Sequence, residues 1–112
     1  MKYKKILVID DEKDFQVLMR RFFTTNGHQV FVADTIKEGL EILDEEHPDC
    51  IFLDNKLPDG LGWESTEFIL KKYPEVHLNL ISANDVPKTF TSRFRILEKP
   101  LHFEEMNKLI EI

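Results

Sequence analysis

No stretch of this chain approaches the roughly 20 consecutive apolar residues that a membrane-spanning helix needs. Near the N-terminus, Ile6-Leu7-Val8-Ile9 follows the basic Met1-Lys2-Tyr3-Lys4-Lys5 and stops at Asp10-Asp11. That run is too short for a signal-peptide core, and no small-residue cleavage site follows it. The expectation is a cytoplasmic protein with no membrane segment. Cysteine is nearly absent. Cys50 stands alone, which excludes an intramolecular disulfide and fits a reducing compartment. Within Cys50-Ile51-Phe52-Leu53 it reads as a buried, inert thiol. A basic excess is also missing: the net charge is -6, and Lys and Arg form no stripe. That argues against direct nucleic acid binding by this domain. The histidines, His28, His47, His77 and His102, are dispersed and lack zinc-ligand spacing. There is no repeat, low-complexity stretch or linker. With 112 residues the chain fits one domain, 1–112.

What is present alternates. Short apolar runs fall at Lys5–Ile9, Gln29–Ala33, 50–53, 76–81 and 94–97. Continuous apolar runs of this length predict strands buried on both faces, as in a parallel sheet. Between them lie helical patterns. Phe15, Leu18, Met19, Phe22 and Phe23 form one apolar stripe, and Gly27 follows where a left-handed C-cap would sit. Thr35 and Glu38 have capping-box spacing ahead of a helix burying Ile36, Leu40 and Leu43, with Pro48 at its exit. A third helix over 62–73 should bury Phe68 and Ile69. A last helix after Pro100 should carry Phe103, Met106 and Ile110 on one side. In 84–93 the weak helix formers Thr89, Thr91 and Ser92 predict only a helical stub or loop, with Pro87 in its first turn and Phe90 as anchor. Five alternations imply an α/β fold: a parallel sheet with right-handed crossovers and helices on both faces.

Sites in such sheets form at the carboxyl ends of the strands. The first strand ends in Asp10-Asp11, the third in Asp54, the fourth in Ser82 and the fifth in Lys99. Three carboxylates brought together repel unless a cation joins them. Hard oxygen ligands suit Mg²⁺, which keeps waters and takes remaining ligands from a phosphate. A metal there would keep Asp54 ionised and nucleophilic. Metal, the Lys99 ammonium and the Ser82 hydroxyl could each compensate an equatorial phosphoryl oxygen.

These residues carry a resemblance. Ile6-Leu7-Val8-Ile9-Asp10-Asp11-Glu12, Ile51-Phe52-Leu53-Asp54-Asn55-Lys56-Leu57-Pro58-Asp59-Gly60, Leu80-Ile81-Ser82-Ala83 and Glu98-Lys99-Pro100 are similar to the receiver domains of two-component response regulators, the family of the chemotaxis response regulator. The likeness spans nearly the whole chain in the right order. It implies a doubly wound, flavodoxin-like five-stranded sheet of order 2-1-3-4-5. It also implies a phosphoacceptor signalling domain: Asp54 takes a phosphoryl group from a sensor histidine kinase, a histidine phosphotransfer protein of a phosphorelay, or a small phosphodonor. Asp11 matches the direct Mg²⁺ ligand, Asp10 the acid that holds the metal through water, and the Lys56 carbonyl the third protein ligand, with Mn²⁺ able to substitute. Ser82 matches the switch hydroxyl, Lys99 the phosphoryl-contacting lysine, and Pro100 a proline often preceded by a cis bond. The resemblance implies no enzyme beyond autocatalysed phosphotransfer and slow self-dephosphorylation. The downstream protein target stays open, as does whether the domain stands alone or belongs to a longer regulator.

Plainer roles exist for each residue. Asp11 could cap the first helix, Asp54 could open the turn at Leu57-Pro58-Asp59-Gly60, and Ser82 and Lys99 could be ordinary strand-end and surface groups. The chain also departs from the family pattern. The segment from Ser82 to Lys99 is short, so the fourth helix should be truncated or missing. Ile96 stands where many receivers place Tyr or Phe, three residues before the lysine, and a β-branched side chain has no ring to rotate. These departures predict output through another face, such as the first or last helix. Lys56 adds an ammonium beside the path of any water attacking an acyl phosphate. Three other readings compete. One is a phosphorylation-independent pseudo-receiver acting as a protein-interaction module. Another is a haloacid-dehalogenase-like phosphatase, disfavoured because Lys56 stands where that family has its second aspartate. The last is a dinucleotide-binding enzyme, disfavoured because Gly60-Leu61-Gly62 never completes GxGxxG.

Overall fold

The computed structural model describes residues 3–82 and 94–110. The five expected strands are present as β1 (Lys5–Ile9), β2 (Gln29–Ala33), β3 (Cys50–Asp54), β4 (His77–Ser82) and β5 (Phe94–Glu98). They pair in parallel in the order β2-β1-β3-β4-β5. The last three each end one residue later than expected, so Asp54 and Ser82 close their strands.

Strand side chains alternate between faces, and here the alternation builds two cores. Ile6, Val8, Phe52 and Ile81 face a layer made by α1 (Lys13–Thr25) and the last helix. Leu7, Ile9, Ile51 and Leu53 face the opposite layer, made by α2 (Ile36–Glu46) and α3 (Thr66–Lys72). Burial of β1 from Ile6 to Ile9 is essentially complete, which is why its sequence shows no polar alternation.

Local signals in the sequence mark two of the helix ends. The Thr35 Oγ accepts from the Glu38 N–H at 3.1 Å, capping α2 as its spacing predicts. Gly27 adopts φ 89° just beyond α1. Two expected core residues lie elsewhere. Leu18 is 38% exposed because α1 turns Phe15, Gln16, Met19 and Phe23 inward. Phe68 is 52% exposed, since α3 buries Thr66, Ile69 and Leu70, and adjacent helical residues point some 100° apart. The third helix also opens with a 3₁₀ turn, Gly62–Ser65.

The stub expected between β4 and β5, with Pro87 and Phe90, lies outside the described residues. After the cis Lys99–Pro100 bond comes α4 (Phe103–Leu109), which places Met106 in the α1 layer, with Ile110 buried just past its end. Among the described residues no helix is long and apolar enough to cross a membrane.

Candidate functional site

At the carboxyl edge of the sheet, the loop after β1 and the end of β3 bring three acids together. Asp10, Asp11 and Asp54 each offer an oxygen, and these oxygens lie within 4.8 Å of one another. Asp10 is fully buried, Asp54 half-buried and Asp11 exposed. Burial, followed by the charge of Asp10, pushes Asp54 up to about 6; Lys99 and the Asn55 backbone N–H pull it the other way, and Asp11 adds a smaller push upward.

Lys99, just past β5, is the cation of this pocket. Its Nζ lies 2.7 Å from Asp10 Oδ2 and 3.9 Å from Glu12 Oε1, and 4.4 Å from the centre of the Phe15 ring. The Asp10 carboxylate is unevenly served. Oδ1 accepts from the Glu12 N–H at 2.8 Å. Oδ2 has the close charge contact with Lys99 but no aligned hydrogen-bond donor, although it is buried. Among the described residues, the carboxylates of this pocket therefore outnumber its cations. That hard-oxygen set fits a divalent cation such as Mg²⁺.

The plainer roles for two of these acids do not match the geometry. The N-cap of α1 is Glu12, whose own side chain makes no cap bond, and the side chain that accepts a backbone N–H at that end is Asp10, not Asp11. The turn after β3 is made further on, where Lys56–Leu57 and Gly60–Leu61 pair antiparallel around Pro58-Asp59. Asp59 in that turn accepts from the Ile36 and Lys37 N–H groups at 2.9 and 3.0 Å, which ties the hairpin to the start of α2. Asp54 is left to face the pocket.

The backbone around Asp54 is pinned. The Trp63 indole N–H donates to the Leu53 carbonyl at 3.1 Å, and the Gly62 N–H to the Asn55 carbonyl at 2.7 Å. A Cβ at Gly62 would stand 2.2 Å from the Asp54 carbonyl oxygen, so only glycine permits this approach. Ser82 is half-buried, one register step beyond Ile81, which lies opposite Asp54. Its carbonyl accepts from the Lys99 N–H at 2.9 Å, joining the ends of β4 and β5. Lys56 is exposed in the hairpin, two residues past the acid. Ile96 sits opposite Leu80 and packs into the α2–α3 layer.

Sequence reasoning missed several supporting groups. Gln16 donates through Nε2 to the Asp10 carbonyl and to Asp34 Oδ1, and Lys13 reaches Asp34 at 2.8 Å. Gln16 gave no signal in the sequence, because only packing turns it inward beside Phe15 and Met19. Glu12 and Phe15 gave none, because their role depends on where Lys99 arrives.

The family model described as the response regulator receiver domain matches residues 6–111. Sporulation initiation phosphotransferase F of Bacillus subtilis (strain 168) is 34% identical over 80 residues, covering 71% of this chain and 61% of that protein. The response regulator protein PilR of Pseudomonas aeruginosa is 26% identical over 115 residues, covering 98% of this chain and 26% of PilR. The match therefore spans less than two thirds of either relative. Among solved structures, the response regulator protein TrrA of Thermotoga maritima in complex with Mg²⁺-BeF superposes with a TM-score of 0.82 at 25% identity, covering 94% of each chain.

Proposed function

Because the chain belongs to the response regulator receiver domain family of two-component signalling, we propose that Asp54 is its phosphoacceptor. Receiver domains of this kind take phosphoryl groups from histidine kinases or phosphotransfer proteins. The observation that carries the proposal is the convergence of Asp10, Asp11 and Asp54 within 4.8 Å, with Lys99 beside them.

In the proposed step, an Asp54 carboxylate oxygen attacks phosphorus in line with the donor. The phosphorus–nitrogen bond to a donor imidazole breaks, and its electron pair stays on nitrogen, which takes up a proton. Asp54 becomes an acyl phosphate. Such transfers ask the protein mainly to position groups and to compensate charge. Asp10, Asp11, Asp54 and the Lys56 carbonyl would hold Mg²⁺, or Mn²⁺ in its place. When bound, the cation supplies the positive charge that keeps Asp54 ionised against its neighbours. Lys99 would move to a phosphoryl oxygen, and the Ser82 hydroxyl would meet another. The product changes binding to a downstream protein. Val17 and Leu18, exposed on α1, favour that helix as the face involved. Resonance shifts on adding beryllofluoride and Mg²⁺ that concentrate at 85–95 would count against this face.

The test is intact-mass measurement after incubation with acetyl phosphate and Mg²⁺. The wild type should gain one phosphoryl group and Asp54→Asn none. No gain by the wild type would overturn the proposal.

One observation favours a second reading, a pseudo-receiver that binds partners without phosphorylation. Ile96 is packed into the α2–α3 layer and offers no ring to follow a moving hydroxyl. On this reading Asp54→Asn behaves like wild type in vivo, and partner binding ignores acetyl phosphate.

A further inference from the structure

Three groups from one short stretch of chain surround the Lys99 ammonium: Asp10, Glu12 and the ring of Phe15. Two of them are carboxylates, whose attraction weakens once a cation joins the acidic cluster. The ring differs. Its centre lies 4.4 Å from Nζ, within the distance at which a ring face attracts a cation. Phe15 is 6% exposed and the Lys99 side chain 12%, so water does little to dilute the contact. An aliphatic residue could fill the same place in the core beneath α1, but it would present no negative face.

The ring is also held still. Phe15 lies in the first turn of α1, and its neighbour Gln16 ties that turn to the Asp10 carbonyl at the end of β1 and to Asp34 beyond β2. It is therefore a fixed, uncharged seat, and its pull on the ammonium does not depend on what the carboxylates are doing.

We propose that Phe15 is a positioning residue for the receiver reaction, its ring holding the Lys99 ammonium in place as the lysine passes from Asp10 to an anionic oxygen arriving at Asp54. The inference rests on the phosphoacceptor reading of Asp54. A purely structural role for Phe15 would depend on its size and not on its face charge.

The experiment separates these by comparing wild type, Phe15→Leu, and protein in which Phe15 is replaced by pentafluorophenylalanine. The fluorinated ring keeps the aromatic shape while inverting the charge of its face. Phosphorylation by acetyl phosphate with Mg²⁺ is followed by intact mass, and urea unfolding checks the fold. Both variants should be phosphorylated roughly three- to tenfold more slowly than wild type, with the fluorinated protein keeping the wild-type urea midpoint. A fluorinated protein that reacts at the wild-type rate overturns the proposal. If the wild type takes up no phosphoryl group, the phosphoacceptor reading fails on its own. The seat is then judged from the Lys99 ε-methylene protons. Shifted upfield by the ring in wild type and returned to ordinary lysine values in Phe15→Leu, they support it; ordinary values in wild type overturn it.

Discussion

Asp54 carries two opposing demands, and its surroundings show how they are balanced. Half-burial and the nearby charge of Asp10 push it up to about 6, from an ordinary 3.8. An acid raised in the folded state favours folding in its protonated form. That contribution is fully present below pH 3.8 and is lost as pH rises through about 6. With the group half-exposed, solvent screening leaves an effect on the order of 1 kcal/mol. The carboxylate that the proposed transfer requires grows over the same window, so on that proposal stability and reactivity run in opposite directions with pH. In metal-free protein, a carboxyl ¹³C titration should place the Asp54 midpoint near 6, and Mg²⁺ should lower it. A metal-free midpoint near the ordinary value would refute this account. At Cys50 burial outweighs every partner: it pushes the thiol up to about 12 against the Asn79 hydrogen bond and the charge of Arg95, which leaves it the inert core residue that its apolar neighbours predict.

Between β3 and α3, the hairpin 56–61 makes Asp54 part of a braced unit. Gly62 is its tightest point, because Cβ has no space beside the Asp54 carbonyl. Gly62→Ala should cost about 1–3 kcal/mol by overpacking. It should also slow acetyl-phosphate labelling, since relief of the clash moves the Asp54 backbone; unchanged urea midpoint and labelling would show that the approach is tolerant. At the far end of the hairpin, the Ile36 and Lys37 N–H groups hold Asp59 below the usual carboxylate range. Such an acid stabilises above its ordinary pKa and loses that effect as pH falls through its folded value. Asp59→Ala should speed hydrogen exchange at Ile36 and Lys37 while leaving the middle of α1 unchanged, because the hydrogen bonds it removes are local to the α2 start. Equal exchange in mutant and wild type would remove Asp59 from this role.

At the scale of the fold, two apolar layers cover the sheet, and the acid cluster and Lys99 lie at one edge where strand ends converge. Crowding Asp10, Asp11 and Asp54 there is a cost that a bound cation relieves. Mg²⁺ should therefore stabilise the folded chain, by about 1.4 kcal/mol at ten times its dissociation constant. Urea unfolding with and without Mg²⁺ reads this directly, and Asp11→Asn should shrink the increment. A midpoint indifferent to Mg²⁺ would argue that the cluster holds no divalent ion.

Much of this was legible in the sequence, for physical reasons. A strand buried on both faces needs a continuous apolar run, so Ile6 to Ile9 and Cys50 to Leu53 announced the sheet. Caps act over three or four residues, so Thr35 and Gly27 announced helix ends. The acids, hydroxyl and lysine each stood at the end of such a run, and parallel topology sends those ends to one edge. Helix rotation was decided only by packing, which turned Leu18 and Phe68 outward and Gln16 inward. The partners of Lys99 were also decided in three dimensions. Its ammonium meets Asp10, Glu12 and Phe15 across more than 80 positions of chain, and no local pattern can encode a contact that exists only after the strands have aligned.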